Sequence, residues 1–371
     1  MNLKNFLHYT KKILFINVLK SIYKELSTRI IVLFFSSKKK KFSNLSNSKN
    51  QILIIRQRYF DKRSKQENDD KVINYSLENL EYIKYELFFF DENNNSGIIR
   101  FTYNLLNILN TKKFDFIILS QFGNNYPVSP FFFVFLKKKY NLKIINIWWD
   151  SCYKKISNDL KKYFFADCHL IQDNQKKYFV ENNINTCFTR PAVNFAWLKE
   201  FKNKETIKLA QREYDFFFIG MAAHYRDYRN VFFNKFFKSE YISSLNYFVR
   251  LWKSREEMLS YSYENFYKIM KNSKIAFNFS KSVDCDQLKG RVAEIISNKT
   301  LLFETENDQI KNFFIPEKHY IPFNQNNFEE KLKYYLNNPN EAQNIASNAY
   351  KHLNQLYDEL PYEWQKLINK I

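Results

Sequence analysis

Between Asp286 and Glu306 the chain reads DQLKGRVAEIISNKTLLFETE, which sets a glycine, two cations and a carboxylate at the start of one predicted helix. The chain has only four glycines, so Gly290 beside Arg291 marks a point where the backbone turns tightly or passes close to a ligand. Val292, Ile295 and Ile296 recur at helical spacing, which puts Lys289, Gly290 and Arg291 at the amino end and Glu294 one turn in. Unbonded amides and the helix dipole make such an end attractive to phosphate. Arg291 is the phosphate candidate, since a guanidinium stays charged and binds phosphate oxygens in pairs, and Lys289 adds a point charge. Plainer roles compete: Glu294 as an ion-pair partner of Arg291 at i, i+3, and Arg291 as a solvated cation in a lysine-rich chain.

Other residues of this kind stand at the ends of predicted strands. After DFFFIG, the loop MAAHYRDYRN lets Gly220 and nearby amides approach a pyrophosphate while Arg226 or Arg229 neutralises it. His224 in the same loop is a candidate for orienting a leaving group, against the commoner structural role of a lone loop histidine. KIINIWWD ends on Asp150, at the carboxyl end of a predicted strand, where a carboxylate suits a general base or a helix N-cap. The Gly123 loop, QFGNNYPVSP, follows the strand FDFIILS and is placed to contact a ligand. No G-x-G-x-x-G occurs, which argues against a nicotinamide-dependent dehydrogenase.

The elements that must position these residues alternate. From Gln51 the reading is strand ILIIR, a helical stretch around Tyr75 to Tyr85, strand ELFFF, a helix from about Ile98 to Leu109, and strand FDFIILS. A helix near Phe131 to Lys139 follows, then strands KIINIWW and CHLIQ, a helix near Lys176 to Glu181, and strand TCFTR. A second series opens with DFFFIG and continues through LNYFVRLW, a helix from about Ser254 to Lys271, KIAFNFS, the Gly290 helix, TLLFE and closing helices from Asn327 and Glu341. Such alternation means mostly parallel sheets, with ligands at the carboxyl ends of the strands. The expected organisation is an appended segment over 1–50, an α/β domain over 51–195, a lysine-rich connection over 196–213 and a second α/β domain over 214–371.

Length and composition agree with two domains: 371 residues, 45% hydrophobic and 19% aromatic, give ample core material. The formal charge of +20 suits nucleic acid, an anionic membrane or a phosphorylated substrate. It suits equally a biased composition rich in Lys, Asn, Ile, Phe and Tyr. Dispersed basic residues and the absence of a known module argue against nucleic acid. Cys152, Cys168, Cys187 and Cys285 are too scattered for a zinc pattern and read as reduced thiols. No run is long and apolar enough to span a bilayer, so a soluble or peripheral, cytoplasmic protein is expected. In residues 1–50, Leu3, Phe6, Leu7, Ile13, Leu14, Leu19, Ile22 and Leu26 recur at helical intervals among Lys4, Lys11, Lys12, Lys20 and Lys24. This basic amphipathic segment fits an anionic membrane surface, or a helix packed on the domain behind it.

The segments NSKIAFNFS, QLKGRVAEIISNKTLLFETENDQIKNFF, HYIPF and FEEKLKYYLNNPNEAQNIASNAYKHL resemble the C-terminal half of CgeB-like (spore maturation protein-like) glycosyltransferases, of the GT-B class. The resemblance runs from Phe216 to Leu353, with a looser match from Gln51 to Asn194. It implies an α/β GT-B fold: two Rossmann-like doubly wound domains facing a cleft. It also implies metal-independent transfer of a hexosyl group from a UDP- or GDP-sugar, with no further cofactor, to a glycan, lipid-linked or protein acceptor. Glu294 would accept the ribose hydroxyls, a task for an acceptor-only carboxylate. Asp286, eight positions earlier, stands where related families carry the first of two acids near the transferred sugar, although here it is Asp and not Glu. Asp284, Cys285 and Asp286 spell the D-x-D with which the GT-A class holds a metal; three residues in a second-domain loop read as coincidence. A non-catalytic GT-B-fold protein for glycan binding or assembly is the alternative.

Overall fold

The computed structural model describes residues 22–23, 25–30, 50–56, 59–61, 66–67, 77–89, 97–121, 128–148, 163–171, 186–188, 206–221, 227–280 and 288–371. The described strands form two parallel sheets and one small antiparallel pair, β2 (Tyr59–Asp61) with β3 (Gln66–Glu67). The first sheet runs β4 (Ile83–Phe89), β1 (Asn50–Arg56), β5 (Phe116–Gln121), β6 (Lys143–Trp148), β7 (Cys168–Ile171), β8 (Thr186–Phe188). The second runs β10 (Tyr247–Trp252), β9 (Tyr214–Met221), β11 (Ser273–Asn278), β12 (Leu301–Thr305), β13 (Ile321–Phe323). Each sheet starts inside, steps once to an edge, then winds out the other way. The order therefore reverses between β1 and β5 and again between β9 and β11, where doubly wound folds open a crevice for ligands.

Helices on both faces explain why the central strands are apolar without alternation. In β1, Ile52 and Ile54 enter one core while Leu53 and Ile55 enter the other. In β9, Phe217 and Ile219 face one side and Phe216 and Phe218 the other. Helices α1 (Gly97–Thr111) and α2 (Pro130–Tyr140) cover one face of the first sheet with Phe101, Leu105, Phe132 and Leu136. Pro at its start and Asn141 in the left-handed region (φ 51°) bound α2. In the second domain come α3 (Asp227–Phe236), α4 (Glu240–Ser243), α5 (Arg255–Ser260), α6 (Tyr263–Lys271), α7 (Gly290–Ser297) and α8 (Asp308–Lys311). The chain closes with α9 (Phe328–Asn337), α10 (Pro339–Asp358) and α11 (Leu360–Lys370). Phe232 of α3 meets Phe328 of α9 edge to face at 4.8 Å and 62°, and Phe236 of α3 meets Phe216 of β9 in the same way at 5.0 Å and 85°. On the other face, Val292, Ile295 and Ile296 of α7 pack with Leu353 and Tyr357 of α10.

Several elements depart from the sequence reading. Of the helix expected around Tyr75 to Tyr85, the described residues Leu77 and Glu78 are helical, Tyr75 and Ser76 lie outside the described residues, and the expected far end is already strand, β4 beginning at Ile83, paired with Asn50. Pairing with β1 decides the matter where local propensity does not. The helix expected from Ser254 to Lys271 is two, α5 and α6, because the Ser262 hydroxyl accepts from Asn265 N and starts a new helix. The last helix returns to the first domain: Trp364, Leu367 and Ile368 of α11 share a core with Ile52, Ile54 and Ile118. Near the expected connection, Arg212 is buried and donates to the carbonyls of Ile207, Ser273 and Asn298 and to Thr300 Oγ1. Burial lowers this guanidinium to about 10. The helix expected near Lys176 to Glu181 lies outside the described residues.

Candidate functional site

The carboxyl ends of β9, β11 and β12 meet the amino end of α7 at the reversal point of the second sheet. Arg291 ties this junction together. Its Nη1 donates to the Ile219 carbonyl at 2.8 Å, its Nε donates to Glu294 Oε2 at 2.8 Å, and the guanidinium lies 4.4 Å from the Phe266 ring. Among the described residues Nη2 takes no hydrogen bond, so one edge of the guanidinium is available to an anion. The i, i+3 pair considered from the sequence exists, and the Glu294 side chain in it is 14% exposed. Lys289 is the N-cap of α7 and Gly290 its first residue; the Lys289 side chain does not cap this end, and while Val292 N donates to the Lys289 carbonyl at 3.0 Å, the amides of Gly290 and Arg291 are left for a ligand among the described residues.

A buried polar cluster joins the carboxyl ends of β11 and β12. Glu304, at the end of β12, is fully buried and accepts from Asn278 Nδ2 (2.5 Å), Ser280 N (2.9 Å), Ser280 Oγ (3.0 Å) and Thr305 Oγ1 (3.0 Å). Burial pushes its carboxyl up, against the pull of these donors. Arg229 of α3 spans the reversal point itself: Nη1 donates to Met221 O and Nη2 to Phe279 O, at 3.0 and 2.9 Å, between the rings of Phe218 and Phe279. Two of its donors thus bind the ends of β9 and β11, and Arg229 is 5% exposed. The close approach that Gly220 permits is to this pair: a Cβ there would stand 2.7 Å from Phe218 Cζ and 3.1 Å from Arg229 Nη1. Gly220→Ala is therefore expected to cost about 1–3 kcal/mol by overpacking. A urea midpoint unchanged from the parent would show that the ring and the guanidinium yield freely.

In the first domain β6 ends at Trp148, whose indole Nε1 donates to His169 Nδ1 of β7 at 3.0 Å and whose ring meets Tyr163 edge to face at 5.1 Å. Burial lowers His169 to about 4, so at neutral pH it is the uncharged acceptor that the indole needs.

The structure brings together Gly220, Lys289, Gly290, Arg291 and Glu294. Asp150, His224, Arg226 and Asp286, with Asp284, Cys285 and most of the Gly123 loop, lie outside the described residues. Sequence reading missed Glu304 and the clamping role of Arg229. The signal for Glu304 was an acid directly after LLF, polar where a buried strand should be apolar. Among the described residues no three His, Cys, Asp or Glu side chains are grouped to share a metal ion.

Comparison with known proteins bears on this junction directly. Residues 240–358, which contain α7 and strands β10 to β13 but not β9, match the family model described as glycosyl transferase-like. The crystal structure of Anabaena Alr3699/HepE in complex with UDP is similar at a TM-score of 0.50 and 9% identity, covering 86% of this chain and 100% of that one. The crystal structure of TarM is similar at a TM-score of 0.50 and 12% identity, covering 72% of this chain and 56% of TarM. No curated protein sequence matches the chain. At these identities the shared property is the architecture: this chain has the GT-B glycosyltransferase fold, two doubly wound parallel sheets, with a glycosyl transferase-like segment over the second.

Proposed function

We propose that the chain is a glycosyltransferase of CgeB-like type that moves a hexosyl group from a nucleoside diphosphate sugar to an envelope or lipid-linked glycan. The observation that carries this reading is the Arg291–Glu294 pair, anchored on the end of β9 at the amino end of α7. Glu294 accepts the ribose hydroxyls, while the α7 amides and the outer edge of Arg291 meet the diphosphate. Charge develops on the departing diphosphate as the glycosidic bond breaks, so fixed donors there favour the transition state over the bound substrate. Asp150 takes the acceptor proton, His224 orients the leaving group, Arg226 neutralises the pyrophosphate and Asp286 acts on the transferred sugar. UDP is the favoured nucleotide, because HepE, similar in fold, was crystallised with it. The reaction needs no metal, and the protein works at the cytoplasmic face.

A thermal-shift screen of the whole chain against UDP, GDP, ADP, CMP and UDP-sugars tests this. Ligand at a hundred times its dissociation constant stabilises by about 2.7 kcal/mol, a shift of several degrees. UDP and a UDP-sugar are expected to raise the melting temperature. A flat response to every nucleotide would leave the GT-B fold without its donor, and the non-catalytic glycan-binding alternative would replace the transferase.

A further inference from the structure

Residues 25–30 form part of a helix that packs against the start of α2, and its faces are inverted relative to a packed amphipathic helix. Thr28 is the residue buried, its hydroxyl accepting from Ser129 N at 3.2 Å. Ile22, Tyr23, Leu26 and Ile30, which share one face at helical spacing, are 50–67% exposed. The exposed apolar surface continues onto the domain. Arg29 lies over the Phe131 ring at 5.9 Å, and Phe131 meets Phe164 edge to face at 5.6 Å; both rings are more than half exposed. Exposed Lys138 lies two turns beyond Phe131 on the same outward face of α2.

We propose that this face, Ile22, Tyr23, Leu26 and Ile30 with Phe131 and Phe164, docks the protein in the interface of an anionic lipid bilayer. An apolar stripe normally faces the core, and a soluble chain rarely shows so many large side chains together. The occupant follows from the charge around it. In the sequence Lys4, Lys11, Lys12 and Lys20 precede the stripe, Lys24 falls within it and Lys38 to Lys41 follow it, while Lys138 and Arg29, the latter paired with Glu25 at 2.7 Å, border it. A lysine-rich sequence on either side of exposed apolar side chains suits lipid tails flanked by anionic headgroups. Because Phe131 and Phe164 belong to the first domain, insertion fixes the orientation of that domain, and not only of an appended helix, against the membrane. The inference is independent of the transferase reading: a chain that partitions onto vesicles yet binds no nucleotide keeps the first and loses the second.

Co-sedimentation of the whole chain with phosphatidylcholine vesicles, with and without phosphatidylglycerol, tests it. Binding is expected only with phosphatidylglycerol, to weaken with salt, and to fall at least about tenfold in the variant Leu26→Ser/Ile30→Ser/Phe131→Ser. The three sites are exposed, so that variant should melt like its parent. The single variant Phe164→Ser, expected to bind measurably less tightly, provides a second reading should the triple variant unfold. Three outcomes overturn the proposal: no sedimentation with anionic vesicles, anionic binding equal in parent and folded variants, or a self-association in solution that the serines abolish while vesicle binding stays.

Discussion

Glu294→Ala is expected to lower nucleotide affinity by about a hundredfold, the loss of roughly 3 kcal/mol carried by two hydroxyl hydrogen bonds to a charged acceptor. The helix should survive, because alanine favours α7 and the i, i+3 pair it removes is worth only a few tenths of a kcal/mol to the helix. Arg291→Met should behave differently, since it strips a donor from the Ile219 carbonyl as well as the partner from Glu294. It is expected to lose both binding and stability, the latter by about 1–3 kcal/mol. Calorimetric titration with the nucleotide that stabilises the parent, beside urea melts, separates the two. If Glu294→Ala binds that nucleotide within about twofold of the parent, the carboxylate only steadies Arg291, and the amino end of α7 is not the ribose site.

The sheets were legible because the chain writes buried parallel strands as unbroken apolar runs; ILII and FFFI have helix-covered faces on both sides and need no alternation. The order of elements then follows from their alternation, and the place of the site from the reversal point between β9 and β11. Elements decided by distant partners were not legible. β4 begins at Ile83 because β1 lies beside it, and α11 packs on the first sheet because Trp364 finds Ile52 and Ile54 there. The same limit applies to charges. Arg229 and Arg291 have equal standing in the sequence, yet two donors of Arg229 hold the carbonyls of Met221 and Phe279, whereas Arg291 keeps one edge outward. Which basic residue is structural depends on carbonyls that end strands far away in sequence, and no local spacing records that.

The first domain is expected to lose stability as pH falls from 6.5 towards 4, and His169 supplies the reason. Its folded value, lowered to about 4 by burial, lies below the ordinary 6.5, so between the two the unfolded chain binds the proton that the folded chain refuses. Stability from this group is complete above 6.5 and declines as pH falls through 4, by about 3 kcal/mol in all and about 2 kcal/mol by pH 5. The geometry requires the same sign, because a proton on Nδ1 would set N–H against the N–H of Trp148. In the second domain His319, also lowered to about 4, acts in the same direction, while Glu304, raised by burial, gains stability on acidification and opposes it. The loss should therefore fall mainly on the first domain, at the end of β6, two residues before Asp150. Asparagine at 169 retains an acceptor for the indole without titrating. Urea midpoints of the parent at pH 7.5 and 5.0 should differ by an amount that His169→Asn largely removes, at a cost of about 1 kcal/mol at pH 7.5. A parent whose midpoint holds steady to pH 5.0, or a variant that keeps the full pH slope, would show that His169 takes up its proton in the folded state without breaking the contact to Trp148.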